Sequence, residues 1–587
     1  MKSKKLLLIF IASSLSLVSC GNKDKEEVHV HTYETSWKYN NTMHWHASNC
    51  DHKGFASDLG EHNLTSWAVS KQPSYVETGL KERHCTICNY TETDNIPKLE
   101  RTGTCTFTLY TFNDFHGAVN EYPSQKHTGL AKFATYLKNA SKEDNVVIVD
   151  SGDTFQGSIE SNYNNGKLIT DVFNYAHVDV HTLGNHDFDW GESKIEENAS
   201  RSSSNDDWSM KYLGGNIYDY EFSSHKEGYI QQSRLGDEYY IKTLQNGLRI
   251  GVIGVIGLSQ ITSICSPLVE DICFKDHVDC IKEISDELRT TNACDVVIAS
   301  IHEGASSVKG LGLSNVSPVS GKKYVDYVAC GHSHRDECYT VDDVYYTQAA
   351  CYGEMLYKST FTVTDSVVTN CTVEKVPYDT ITSSVTRVDP NITSIIESYA
   401  KDYSSVGEEV LSTISGNFYK DEQMPNMLSK AMYLEANKEG YTVDLACTNA
   451  ARYDIRNSSE MTYASLYEAF PFDNVIYIVK CKGDSNVRQL SYSGNNYYHS
   501  SSLTSMDTSK WYTVAIIDYL LWHTNSDRQY DYFDHSADNM QIIGTLKKNN
   551  DNYLYRDVCA DYIRGITGTL YASDYSNSAT GFNKLTY

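Results

Sequence analysis

Five short apolar runs, most of them separated by gaps that suit a helix, predict an α/β fold. The runs are 104–112 (TCTFTLYTF), 145–150 (NVVIVD), 178–183 (VDVHTL), 294–301 (CDVVIASI) and 325–330 (VDYVAC). Each is rich in Val, Ile, Thr and aromatic residues, the composition of a short buried strand. Most gaps reach the roughly 30 residues of a strand-helix-strand unit. The stretch from Asp187 to His302 is longer, and a further strand pair is expected around its LRIGVIGVIG segment (248–257). At 587 residues the chain exceeds one core, so two or three domains are expected.

Each run ends immediately before a polar motif. In order these are Asn113-Asp114-Phe115-His116, Gly152-Asp153, Gly184-Asn185-His186-Asp187, Ile301-His302 and Gly331-His332-Ser333-His334. In an open α/β sheet ligands bind beyond the carboxyl ends of the strands, so five loops can converge on one site. Carboxylate, amide and imidazole together suit divalent cations of intermediate hardness. A formal net charge of −26 makes a nucleic acid polymer a poor partner, because its phosphates need a basic surface.

The first residues form a targeting segment. Lys2, Lys4 and Lys5 precede an apolar core from Leu6 to Ser19, shorter than the about 20 residues of a membrane-spanning helix. The core ends in Leu17-Val18-Ser19-Cys20-Gly21, which resembles a bacterial lipobox. That resemblance implies cleavage before Cys20, a lipid on its thiol, and attachment to the cell membrane facing the cell surface or periplasm. An ordinary secretory signal is the alternative, and either implies export. Residues 1–27 are then signal peptide and tether. Of sixteen cysteines, fifteen remain after Cys20, an odd number for a fully disulfide-bonded exported protein. Cys294, Cys330 and Cys447 sit in apolar runs where a free thiol packs as a small hydrophobe.

Residues 28–100 have a different character. They hold seven histidines (29, 31, 44, 46, 52, 62 and 84) with Cys50, Cys85 and Cys88. About seventy residues build little core without a staple, and Cys-x-x-Cys is a zinc-knuckle spacing. One structural zinc site drawn from His46, Cys50, His52, Cys85 and Cys88 is expected, a Cys85–Cys88 disulfide or surface histidines being the alternatives. The segment also resembles His/Trp/Cys-rich modules of bacterial surface proteins, which implies display or attachment.

The ordered motif series resembles the calcineurin-like metallophosphoesterases, and more closely their 5'-nucleotidase branch, which includes 2',3'-cyclic phosphodiesterases and nucleotide-sugar hydrolases. After the 104–375 catalytic domain and a 376–404 linker with a helical tract at 390–403, residues 405–587 resemble the 5'-nucleotidase C-terminal domain. The residues that carry this second likeness are Thr448-Asn449-Ala450-Ala451-Arg452, Met461-Thr462-Tyr463 and Leu466 through Asn474. The resemblance implies a four-layer β-sandwich flanked by helices, a separate α/β C-terminal domain, and the small N-terminal His/Cys module.

It also implies two divalent cations (manganese, zinc, magnesium or iron). Asp114, His116 and His334 would hold one, Asn185, His302 and His332 the other, with Asp153 bridging. A hydroxide shared between them would attack the phosphoester. His186 is the implied catalytic histidine and Asp189 its carboxylate partner, while Asp150 supports the loop. Arg452 would reach the substrate, and Phe472 and Tyr519 would clamp a nucleobase, unless they are ordinary core aromatics. The implied function is an exported 5'-nucleotidase. Related phosphoesterases, or a surface binding protein with a decayed esterase domain, are the alternatives. All seven ligand positions are filled, which argues against decay. Residues His523 to Tyr530 replace the glycine-rich loop of the family, so the pocket wall must differ.

Overall fold

The computed structural model describes residues 29–587 except 53, 74–76, 100–102, 205–207, 221–228, 233–234, 493, 526–528 and 583–584. The expected signal segment with Cys20, and residues 526–528 of the altered loop, lie outside the described residues. The chain divides into two units, Met1–Glu100 and Arg101–Tyr587. Among the described residues no helix is long and apolar enough to cross a membrane.

In the larger unit, two six-stranded sheets pack face to face. The first runs in the order Lys211–Leu213, Val180–Thr182, Val146–Asp150, Thr104–Phe112, Met355–Thr364, Val367–Pro377. The second runs Tyr239–Thr243, Arg249–Ile256, Val296–His302, Tyr327–Cys330, Val344–Ala349, Asp336–Val341. Side chains alternate across each strand. Phe107 and Leu109 point into the sandwich with Val147, Ile250, Val296 and Ile298. Tyr110 and Phe112 point the other way, against helices Leu130–Ala140 and Lys167–Ala176. Helix Leu130–Ala140 buries Leu130, Phe133, Ala134 and Leu137, the one-sided spacing of an amphipathic helix. Helix His277–Thr290 covers the second sheet, burying Cys280, Ile281, Ile284 and Leu288, and Asp276 caps it by accepting from the backbone N–H of Val278 and Asp279. The order is helix, sheet, sheet, helix, the four layers expected.

The strand pair expected around 248–257 is present: strand Arg249–Ile256 pairs antiparallel with Tyr239–Thr243, and on its other edge runs parallel to Val296–His302. The glycines of this strand mark close packing: a Cβ on Gly251 would meet Leu288 at 2.8 Å, and one on Gly254 would run into Leu213.

Residues 376–404 are packed rather than a loose connector. Ile381 of helix Tyr378–Ser384 and Ile392 of helix Pro390–Gly407 join the core of the first sheet, and Tyr403 clusters with Ile159 and Tyr467. Beyond them a five-stranded sheet runs Asn495–His499, Leu445–Asn449, Trp511–Ile517, Ile476–Lys482, Met540–Thr545, packed on helix Gln423–Lys438. The smaller unit contains two three-stranded antiparallel sheets: Tyr33–Tyr39, Met43–Ser48 and Ala56–Glu61, then Ala68–Lys71, Gly79–His84 and Thr91–Ile96.

Candidate metal centre and substrate cleft

The motif loops meet where the parallel strands of both sheets end. Donor atoms of Asp114, His116 and His334 lie within 4.8 Å of one another, as do those of Asp153, His302 and His332. Around one cation with bonds of about 2.0–2.2 Å, neighbouring donors sit roughly 2.8–3.5 Å apart. The spacings here match: His116 Nε2 to His334 Nε2 is 2.9 Å, Asp114 Oδ1 to His334 Nε2 is 3.4 Å, and Asp153 Oδ2 to His302 Nε2 is 3.0 Å. Asp153 Oδ2 also lies 3.9 Å from His116 Nε2, so this oxygen faces both groups.

Each carboxylate is held by one oxygen and presents the other. Asp114 Oδ2 accepts from Asn113 at 2.6 Å and from the His332 backbone N–H at 2.7 Å. Asp153 Oδ1 accepts from the His186 backbone N–H at 2.8 Å. Asp114 Oδ1, Asp153 Oδ2 and His302 Nε2 are buried with no hydrogen-bond partner. Orphaned buried polar atoms are costly, and three acceptors converging from separate loops fit a cation-binding centre. The imidazoles are oriented from behind, as metal-ligating histidines are: His302 Nδ1–H donates to Ser151 O at 2.8 Å and His116 Nδ1–H to Gln156 O at 3.0 Å. Asn185 Oδ1 accepts from His332 Nδ1–H at 2.9 Å, which places the amide beside the second group.

The local backbone is strained to achieve this. Asp114, His116, Asp153, His332 and His334 all have positive φ, between 46° and 76°. Such conformations cost about 1–3 kcal/mol each and persist where the surroundings over-determine them. Glycine supplies room: a Cβ on Gly184 would lie 2.8 Å from Asp153 N and closer still to Asp153 Oδ1.

His186 stands apart from both groups. Its Nδ1–H donates to Asp189 Oδ2 at 2.9 Å. Burial opposes its protonation, but the carboxylates of Asp189 and Asp153 raise it above the usual imidazole value. Behind the site, Asp150 accepts from His181 Nδ1–H at 2.8 Å, from the Gly152 N–H at 3.2 Å and from the Thr154 hydroxyl. Burial alone would lower His181, yet Asp187 and Asp150 push it up to about 10. Asp150 is thus a loop support.

From the C-terminal domain, Arg452 Nη2 lies 2.8 Å from His116 Nε2, which brings the guanidinium to the edge of the first group. The Phe472 ring stacks on His186 with centroids 5.3 Å apart. Arg452, Phe472 and Tyr519 line one cleft of about 580 Å³ with Asn185, His186, Asp189 and His332. The sequence reading missed Tyr352, whose ring lies against His116 and His334 and whose N–H donates to Asp114 O at 2.8 Å. Its signal was available: Tyr352 follows strand Val344–Ala349, which runs parallel to Tyr327–Cys330, at the same sheet edge as the motifs.

The single N-terminal zinc set is corrected. Cys50 and His52 group with His29 and His31, whereas Cys85 and Cys88 group with His44 and His62. His46 joins neither, its Nδ1–H donating to Ser36 O at 3.1 Å. His44 and His46, two apart, would share a face of a regular strand, but the pairing of Met43–Ser48 with Ala56–Glu61 shifts register between them, and only His44 is buried. Cys50, Cys85 and Cys88 are free thiols, so no Cys85–Cys88 disulfide is formed.

Comparison with known proteins agrees with this geometry. Residues 107–336 match the family described as calcineurin-like phosphoesterase, and 404–502 match 5'-nucleotidase, C-terminal domain. The Listeria monocytogenes cell wall protein Lmo0130 is 24% identical over 452 residues, 66% of this chain and 56% of its own length. The 5'-nucleotidase of Diplobatis ommata is 26% identical over 276 residues, 45% of this chain and 43% of its own. The chain spans about half the length of these relatives. Among solved structures, a 5'-nucleotidase precursor from Thermus thermophilus superposes with a TM-score of 0.61 at 15% identity, over 80% of this chain and 99% of that one. The sulfate thiohydrolase SoxB of the same organism superposes with a TM-score of 0.57 at 13% identity, over 81% and 96%. These likenesses show the fold. The chain joins a calcineurin-like phosphoesterase domain to a 5'-nucleotidase C-terminal domain.

Proposed function

We propose that the protein is an extracytoplasmic two-metal phosphohydrolase acting on nucleotides. The observation that carries the reading is the set of buried, unpartnered Asp114 Oδ1, Asp153 Oδ2 and His302 Nε2 atoms, converging beside a cleft lined by Arg452, Phe472 and Tyr519. Asp114, His116 and His334 would hold one divalent cation and Asn185, His302 and His332 the other, with Asp153 between them. Bound there, the cations would supply Lewis acidity and a nucleophile at neutral pH.

The chain's own residues do the rest. Protonated His186, steadied by Asp189, stabilises charge developing on the phosphoryl oxygens and can return a proton to the leaving oxygen. The guanidinium of Arg452 offers a fork to a phosphate oxygen pair. Phe472 and Tyr519 present ring faces to a base, a contact that tolerates several bases. Similarity to a cell wall protein supports placement outside the cytoplasm, and a lipid on Cys20 would hold it at the membrane. Because the fold is shared with a protein named sulfate thiohydrolase, nucleotide use rests on the cleft and not on the fold.

The test is phosphate release from nucleoside monophosphates, 2',3'-cyclic nucleotides, nucleotide sugars and an aryl phosphate, each with manganese, zinc or magnesium. Metal-dependent release favouring a nucleoside monophosphate supports the reading. Release only from the aryl phosphate retains the phosphoesterase and removes the nucleotidase.

A further inference from the structure

In the described part of residues 29–99 the buried side chains are His44, Cys85 and Cys88, with Gly79 the other buried residue. An ordinary domain places aliphatic and aromatic residues at its centre. Here the centre is imidazole and thiol. Two three-stranded sheets with no apolar core fold only if something else joins them.

The first group supplies that join. His44 belongs to strand Met43–Ser48 and His62 follows strand Ala56–Glu61, both of one sheet. Cys85 and Cys88 lie in the turn between Gly79–His84 and Thr91–Ile96 of the other. His62 Nδ1 is 3.4 Å from Cys88 Sγ, and His44 Nδ1 is 3.9 Å from Cys85 Sγ. Ligands of a tetrahedral zinc ion, at about 2.0–2.3 Å, stand roughly 3.3–3.8 Å from one another. His62 Nε2–H donates to Asn40 O at 2.8 Å, which fixes the tautomer that leaves Nδ1 as an acceptor facing the thiols.

The second group is separate. His29, His31, Cys50 and His52 bring their donor atoms within 4.8 Å of one another at the edge of the first sheet. His31 Nδ1 is 3.4 Å from Cys50 Sγ, and the His29 and His52 rings are 4.4 Å apart. His29 and His52 are exposed and the other two partly so.

We propose that the N-terminal unit binds two zinc ions: a buried Cys2His2 site that joins its sheets in place of a core, and a solvent-open CysHis3 site on its edge. Thiolate with imidazole in fours is a zinc donor set, distinct from the carboxylate, amide and imidazole set of the phosphoesterase centre. The buried ion is structural and released only on unfolding, because its ligands become neighbours only in the folded unit. The open ion exchanges with solvent.

Cobalt(II) substitution in the full chain tests this, because only the two cysteine-containing sites give a thiolate-to-cobalt absorption band. The band should saturate at two thiolate-ligated cobalt ions per chain. Cys50→Ser should lose one of them and keep module stability, with the phosphatase metals retained. Cys88→Ser should lose the other and unfold the module, seen as rapid proteolysis within residues 28–100. The Cys50→Ser result stands even where Cys88→Ser does not fold. A wild-type spectrum without the band, or a band abolished by Cys50→Ser alone, would overturn the two-site proposal.

Discussion

Gly184→Ala isolates the geometric requirement at the centre of the site. Gly184 has φ −105° and ψ −178°, extended backbone that alanine adopts without strain. The added methyl therefore acts only through space, where it would lie 2.8 Å from Asp153 N and 2.9 Å from Asp153 Cγ. Neither atom can yield cheaply, since Asp153 Oδ1 is tied to the His186 N–H at 2.8 Å and the backbone of Asp153 is already at φ 55°. Overpacking of this kind costs about 1–3 kcal/mol. Displacing an orienting contact of a ligand typically costs about 10–100-fold in metal affinity or activity. Asp153 Oδ2 faces both ligand groups, so both cations should weaken together. The assay is manganese titration by calorimetry alongside kcat/KM for a nucleoside monophosphate. Gly310→Ala, where a Cβ meets nothing within 4 Å, is the control and should match wild type. Wild-type metal affinity and rate in Gly184→Ala would refute the claim that Asp153 is held in place as a shared ligand.

Three further outcomes are expected. Asp153→Ala should lose both rate and bound metal, whereas His186→Ala should lose rate with metal content unchanged, measured by elemental analysis of the purified proteins. Phe472→Ala should raise KM for nucleoside monophosphates by roughly 5–150-fold, the equivalent of about 1–3 kcal/mol of base stacking, while sparing an aryl phosphate. Glu468 meets the Tyr122 hydroxyl at 2.8 Å between the two domains of the larger unit, and burial pushes its carboxyl up to about 7 from an ordinary 4.5. An acid raised on folding contributes stability that is full below its unfolded pKa and is lost as pH rises through the folded one. Melting of the larger unit should therefore weaken between about pH 4.5 and 7, and Glu468→Gln should flatten that dependence.

The phosphoesterase centre was legible because its chemistry is punctuated by strand ends. A buried parallel strand announces itself as a short apolar run, and topology alone delivers the next residues to a shared edge. Asp114, Asp153, Asn185, His302 and His332 could thus be grouped without coordinates. What that logic misses depends on pairing rather than on punctuation. Tyr352 carries no motif, and neither does His181, which links the loop support Asp150 to Asp187 across neighbouring strands and loops. In the N-terminal unit, His44 and His46 are two apart on one strand and meet different surroundings, while Cys85 meets His44 across forty-one positions. Spacing motifs see the Cys-x-x-Cys turn but not which histidines the antiparallel sheets bring to it.

The most direct test of the central claim is back-titration of metal-stripped protein with manganese, following phosphate release from a nucleoside monophosphate against ions bound at the Asp114 to His334 centre. Manganese favours oxygen and imidazole donors over thiolates, so the cysteine sites contribute little. Release should stay low through the first equivalent and reach its maximum at the second. Full activity in the metal-free protein, or no phosphate released with both cations bound, would contradict the account.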